Sequence, residues 1–277
     1  MARKIFGYYE DETSISIGDS DSRILQIGSN ELVCLIKNAS TGKITAFESY
    51  DWEKKTGNIS VEFNEIKQLS GIFSGYCKTT ICYFNCEQTT LIPQINYSTA
   101  AAADYLDLLY GESPESIVKV HFANNLAIAF RLEQNLHRAL NELFPLYQPL
   151  PVYASLLKDP AHIVEKNSET ITLQLYGYQF ILMAMKGTAL QMIQTFAYAH
   201  SEDIVYHLLN TVKQLDFSQD ATSLTVSGRI DKDSPLHLQL KGLFNQVLMD
   251  ELPADTILNQ APDHPAHYFT PYNKLLL

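Results

Sequence analysis

Catalysis needs nucleophiles, bases or metal ligands at workable spacing, and this chain offers few. Of its eight His, His121 alternates inside an apolar run and His207 stands between apolar pairs. Neither has an acid or nucleophile close in sequence, so both read as packing residues. Asp263-His264-Pro265-Ala266-His267 brings ligand types close together, but its prolines prevent the helical i to i+3 pairing that would aim both rings at one ion. Cys34, Cys77, Cys82 and Cys86 form no CxxC pair and lie among Val, Ile, Tyr and Phe, as buried free thiols do. Cys82 and Cys86 could share a strand face, yet no His nearby would complete a zinc site. The run Glu10-Asp11-Glu12 reads as solvated surface, and Glu48 and Asp51 as structural acids near a strand end. G-x-S-x-G, H-E-x-x-H and a full Walker loop are absent from the sequence. No catalytic residue and no metal site is expected.

Composition narrows the partners. The 277 residues carry 20 Lys plus Arg against 31 Asp plus Glu, a formal charge of −11. Without a basic patch, that charge repels nucleic acid and anionic lipid. No apolar run is long enough for a signal peptide or a spanning helix, so a cytoplasmic protein without membrane insertion is expected. Length alone predicts two domains.

The elements that would position any site follow from apolar periodicity. Arg23 to Ile36 reads as a hairpin around Gly28-Ser29-Asn30, and Lys43 to Tyr50 adds a third strand. Ile59, Phe63, Ile66 and Leu69 share one helix face. Thr79 to Phe84 is a strand, Ser98 caps an alanine-rich helix ending at Gly111, and two extended runs, Val118 to Phe122 and Leu126 to Leu132, precede a helix through Leu143. Pro145, Pro149 and Pro151 form the best linker candidate.

The second half repeats this programme. Leu25-Gln26-Ile27 is echoed by Leu173-Gln174-Leu175 at an offset of 148, Ile44 and Phe47 by Ile193 and Phe196 at 149, and Lys67-Gln68-Leu69 by Lys213-Gln214-Leu215 at 146. Three matches in order, each on the same expected element, indicate two copies of one unit. In the second copy Ser201 caps a helix, Leu224 to Val226 is a strand, and Ser234-Pro235 opens another helix. The expected boundaries are 1–152 for the first unit and 153–277 for the second, with the C-terminal tail.

The duplicated order resembles the actin-like ATPase fold, an α/β architecture of tandem ribonuclease H-like units with a cleft between them. Thr90-Leu91-Ile92-Pro93, the stretch Gln194 to Leu209, Lys213-Gln214-Leu215 and Ser227-Gly228 further resemble an uncharacterised bacterial family of unknown function with that fold, over about Ile24 to Val247. The fold's nucleotide-binding members carry Asp-x-Gly in the turn after the first strand of each half and paired glycines on the adenosine side. Carried onto this sequence, the turn positions are Gly28 and Ser29 in the first half, Gly177 in the second, and Ser227 with Gly228. The carboxylate positions, however, are Gln26 and Gln174, which cannot offset a divalent cation, and Tyr176 takes the second glycine position. No cofactor is expected, ATP being the one the resemblance implies.

The resulting expectation is a non-catalytic, degenerate actin-like scaffold that binds a protein partner, with no direct contact to nucleic acid and no oligomeric state implied. The alternatives are a nucleotide sensor or ATPase using the cleft, and an accessory role in ribosomal RNA maturation, against which the acidic charge argues. In the tail, Pro262, Pro265 and Pro271 exclude a long helix, while Tyr268, Phe269, Tyr272 and Leu275 to Leu277 are too apolar for a solvated end. The tail is expected to fold back and bury Tyr268 and Phe269, the alternative being docking on a partner or a second copy.

Overall fold

Alternation of apolar residues on both sides of the Gly28-Ser29-Asn30 turn produces the expected hairpin, β2 (Ser22–Ile27) and β3 (Glu31–Lys37), extended to a meander by β4 (Ile44–Trp52). The computed structural model describes residues 1–11, 17–52, 59–159, 168–253, 255–261 and 263–277; Glu12 of the acidic run and Pro262 of the tail lie outside the described residues. Two compact units are present: Met1–Lys158 with Leu275–Leu277, and Asp159–Lys274.

In the first unit, the helix α1 (Ile59–Leu69) leads to β5 (Thr79–Phe84), which pairs parallel to β2, and β9 (Gln148–Pro151) pairs parallel to β5. A further strand, β1 (Ala2–Tyr9), runs antiparallel to β4, giving the order β1-β4-β3-β2-β5-β9. Ile59, Phe63 and Ile66 turn one face of α1 to the core; Leu69, expected on that face, is 46% exposed because it ends the helix. Between β5 and β9 the chain inserts a separate antiparallel sheet, β6 (Thr89–Pro93), β7 (Ser116–Ala123) and β8 (Leu126–Glu133) in the order β6-β8-β7, with α2 (Thr99–Tyr110) packed on it through Ala102 and Leu106. Ser98 caps α2 by accepting from the Ala101 N–H, and Gly111 ends it at φ +80°. The helix α3 (Gln134–Leu143) follows β8 and covers the main sheet beside α1.

The proline cluster is not a linker. Pro149 and Pro151 lie in β9, an edge strand, where a missing N–H is tolerated on the outer side. The chain stays with the first unit through α4 (Tyr153–Lys158), whose Leu157 carbonyl accepts from Asn124 Nδ2 at 2.7 Å, so the division falls later than 152/153.

The second unit contains β10 (Glu169–Leu175), β11 (Gln179–Lys186), β12 (Ala189–Ala197), α5 (Ser201–Gln214), β13 (Ser223–Gly228), α6 (Pro235–Leu243) and β14 (Gln246–Met249). Its sheet order, β12-β11-β10-β13-β14, repeats β4-β3-β2-β5-β9 strand for strand. Registers make the correspondence residue-specific. Gln26 faces Val33 and Gln174 faces Ile181; Leu32 faces Tyr50 and Phe180 faces Phe196. Phe196 therefore corresponds to Tyr50, not Phe47, and the offset on this strand is 146, matching the helix that follows it. Phe47 lies on the opposite face, stacked on Phe6 with ring centroids 5.7 Å apart. The cap of α5 also differs by one residue: His200 occupies it, and Asp203 Oδ2 accepts from the Ala199 and His200 N–H groups. Ser234 caps α6 with Pro235 in its first turn, as expected.

The tail folds back. Phe269 and Tyr272 are buried, Tyr268 is half-buried and donates to Asp231 Oδ1, and α7 (Thr270–Asn273) packs on β13. Among the described residues no helix is long and apolar enough to cross a membrane.

Candidate functional site

Of the turn positions expected to cradle phosphate, Gly28 and Ser29 lie together in a cleft of about 350 Å³ within the first unit. The cleft opens at the carboxyl ends of β2 and β5, where ligands commonly seat in open α/β sheets. Ile27, Trp52 and Phe84 give it an apolar wall, and Asn85 and Gln88 a polar one. Among the described residues, its ionisable residues besides Cys86 are Glu87, Arg131 and Glu133. Arg131 is already committed: its guanidinium pairs with Asp107 and donates to the Gly111 carbonyl at 2.7 Å and to Gln88 Oε1 at 3.1 Å. The remaining charges among the described residues are carboxylates, which repel an anionic ligand that brings no cation of its own. Burial pushes the Cys86 thiol up to about 12, so it is not a nucleophile at neutral pH.

Gln26, the position that the resemblance aligns with a carboxylate, is enclosed. It is 1% exposed, and among the described residues neither its Nε2 nor its Oε1 has a hydrogen-bond partner. Gln26 is not part of the cleft lining, and a neutral amide supplies no charge to hold a hydrated ion.

In the second unit Ser227 pairs in register with Gln174, and Gly228 with Leu175, so these positions gather at one end of β10 and β13. The site there is closed by the chain itself. Tyr176 is fully buried, donates to Gln174 Oε1 at 3.1 Å, and meets the Tyr272 ring edge-on at 6.1 Å. Its carbonyl accepts from Tyr198 at 2.6 Å. Gly177 follows in a turn held by the Tyr176 N–H on the Gln179 carbonyl, the counterpart of Gly28 N–H on Glu31. Gly228 has φ +86°, and a Cβ there would overlap the Leu175 carbonyl. Its glycine is thus required by strand packing alone. Beyond it, His267 of the tail contacts the Ile230 carbonyl at 2.6 Å. The residues present do not fit ATP with Mg²⁺.

Glu48, read from the sequence as a structural acid, is one. Glu48 is fully buried and accepts from Lys4, Tyr9, Tyr50, Ser70 and the Gly71 N–H. His207 stacks on Phe196 with centroids 4.2 Å apart. Sequence reading missed Trp52, Asn85 and Arg131 in the cleft. The one signal for Arg131 is a charge at an inward position of an otherwise apolar strand.

Comparison with known proteins agrees with this architecture. A Bacteroides thetaiotaomicron protein with an actin-like ATPase fold and unknown function is 17% identical, covering 95% of this chain and 98% of its own at a TM-score of 0.80. A chain of the PilM-PilN type IV pilus biogenesis complex is 10% identical, covering 94% and 98%, at 0.63. These likenesses establish the actin-like ATPase fold. No curated protein matches the chain. The family model described as "Protein of unknown function (DUF3822)" matches residues 11–247, and the chain belongs to that family.

Proposed function

We propose that the protein is a cytoplasmic, non-catalytic binding body that uses the actin-like ATPase fold as a scaffold for a protein partner. One observation carries this reading: the position where nucleotide-binding members of the fold place a carboxylate is an enclosed glutamine in both units, Gln26 and Gln174, each 1% exposed. Tyr176 and Tyr272 fill the second turn, which supports the same reading. So does the chain of the PilM-PilN complex, a protein of this fold whose setting is association with another protein.

Thermal denaturation with Mg²⁺ and ATP tests it. A ligand at a hundred times its dissociation constant stabilises by about 2.7 kcal/mol, which moves the melt of a chain this size by several degrees. Millimolar MgATP is expected to leave the melt unchanged. A shift of several degrees would overturn the reading for any affinity of about 10 μM or tighter.

A further inference from the structure

Arg23 is only 2% exposed. Its Nε donates to the Ile72 carbonyl at 3.1 Å, a terminal nitrogen donates to the Gly75 carbonyl, and its guanidinium lies 5.0 Å from the Phe144 ring centroid. Carbonyls and a ring share the protons without cancelling the charge, and a buried cation without a counter-anion is costly. The chain treats its other enclosed cations differently. Arg131 has Asp107, Lys274 has Asp159 and Asp250, and Lys4 has Glu48. Asp21 is close in sequence, but its oxygens accept from the Gly18 and Ala39 N–H groups at 2.9 and 3.0 Å. Among the described residues, Arg23 has no carboxylate partner.

Arg23 lines a groove of about 650 Å³ in the first unit, at the opposite end of β2 from Gly28. Lys67 and Lys78 line it too, and among the described residues no acid does, in a chain whose net charge is −11. Its rim is apolar and open: Tyr76 is 72% exposed and Leu146 is 95% exposed. Leu146 is also held at φ +69°, a left-handed conformation unfavourable for a branched side chain, which presents it to solvent where it contributes no packing. A basic groove with an apolar rim suits a ligand that is both acidic and apolar.

We propose that this groove docks an extended segment of a partner protein in which a carboxylate lies beside a bulky apolar side chain. The carboxylate is drawn to the groove wall that Arg23, Lys67 and Lys78 make positive, and the apolar group packs against Tyr76 and Leu146. This rests on the reading of the protein as a binding body, and names the chemistry of its partner.

The test is to pan a displayed random-peptide library against the full chain and measure the enriched peptides by fluorescence anisotropy. Enriched sequences should place Asp or Glu beside an aromatic or aliphatic residue. Affinity should fall tenfold or more when the acid is replaced by its amide, in the double variant Lys67→Glu with Lys78→Glu, and in Tyr76→Ala with Leu146→Gly. These four positions are exposed or partly so and leave the core intact; Arg23→Gln is compared only if its melt matches wild type. Absence of enrichment, a consensus without an acid, or affinities unchanged in the variants would overturn the proposal. So would inorganic phosphate alone raising the wild-type melt but not that of the double-lysine variant, which would make the groove a small-anion site. None of these substitutions touches the MgATP titration, on which the binding-body reading fails separately.

Discussion

The residue on which the first unit spends most hydrogen bonds is Glu48. Burial alone would raise its carboxyl, but donation from Lys4, Ser70, Tyr50 and Tyr9 outweighs burial and holds it below the usual carboxylate range. A depressed folded value makes this stabilisation present above the unfolded value, near 4.5, and lost as pH falls through the folded one. Glu48→Gln should therefore destabilise the protein at pH 7 by about 3 kcal/mol, since it leaves Lys4 without its anion. The gap from wild type should close as pH drops below about 4. Urea unfolding across that range measures it, and a constant gap would show that geometry, not charge, is what the site needs. The sequence marked Glu48 as a structural acid near a strand end. It gave no sign of the partners, because Lys4, Tyr9 and Ser70 are remote in sequence and come together only when β1 adds to the sheet.

At the scale of elements, the parts most legible in the sequence were those with strong periodicity and local stop signals. The β2–β3 hairpin, α2 between Ser98 and Gly111, and α6 behind Ser234-Pro235 all belong to this class. What failed was anything decided by distant pairing. The cluster Pro149 to Pro151 reads locally as a linker, yet an unoccupied edge of β5 turns it into a strand. The runs Val118 to Phe122 and Leu126 to Leu132 read as extended, but strand periodicity cannot say that they join a separate sheet with β6. The tail was legible as something to be covered, though not by what. Phe269, Tyr272 and Leu275 are at most 3% exposed, and Lys274 Nζ binds Asp159 at 2.8 Å and Asp250 at 2.5 Å. Removing residues 263–277 deletes two buried aromatics, each worth about 3 kcal/mol or more, and strands two enclosed carboxylates. The truncated chain should melt at least ten degrees lower, by roughly two to four degrees per kcal/mol. A melt within a few degrees of wild type in differential scanning calorimetry would mean that the packing of the tail contributes little, and would favour docking on a partner instead.

For the whole molecule, duplication was readable because three short echoes kept their order. One echo was misaligned, since Phe47 and Tyr50 are both aromatic-bearing strand positions and only register separates their faces. Of the equivalences that survive, Gln26 with Gln174 bears most on function, and it makes an opposite prediction to Glu48. Gln26→Asp introduces the carboxylate that the resemblance to nucleotide-binding members implies, but in a place where the existing amide finds no partner among the described residues. Burial without donors raises a carboxyl, so the folded value should lie above the ordinary 3.9 or so. Stability is then nearest wild type at about pH 4 and falls as pH rises towards the raised folded value, the reverse of the Glu48 dependence. At pH 7 the cost approaches about 4 kcal/mol, that of keeping an acid protonated some three units above its normal range. Adding MgATP should not recover the lost stability, because enclosure keeps a hydrated ion away from the new carboxylate and because Tyr176 still occupies the second turn. Thermal melts of Gln26→Asp between pH 4 and 7, with and without MgATP, decide the matter: recovery with the nucleotide would mean that a working metal seat persists beneath one substitution, and that the fold has kept its ligand rather than only its shape.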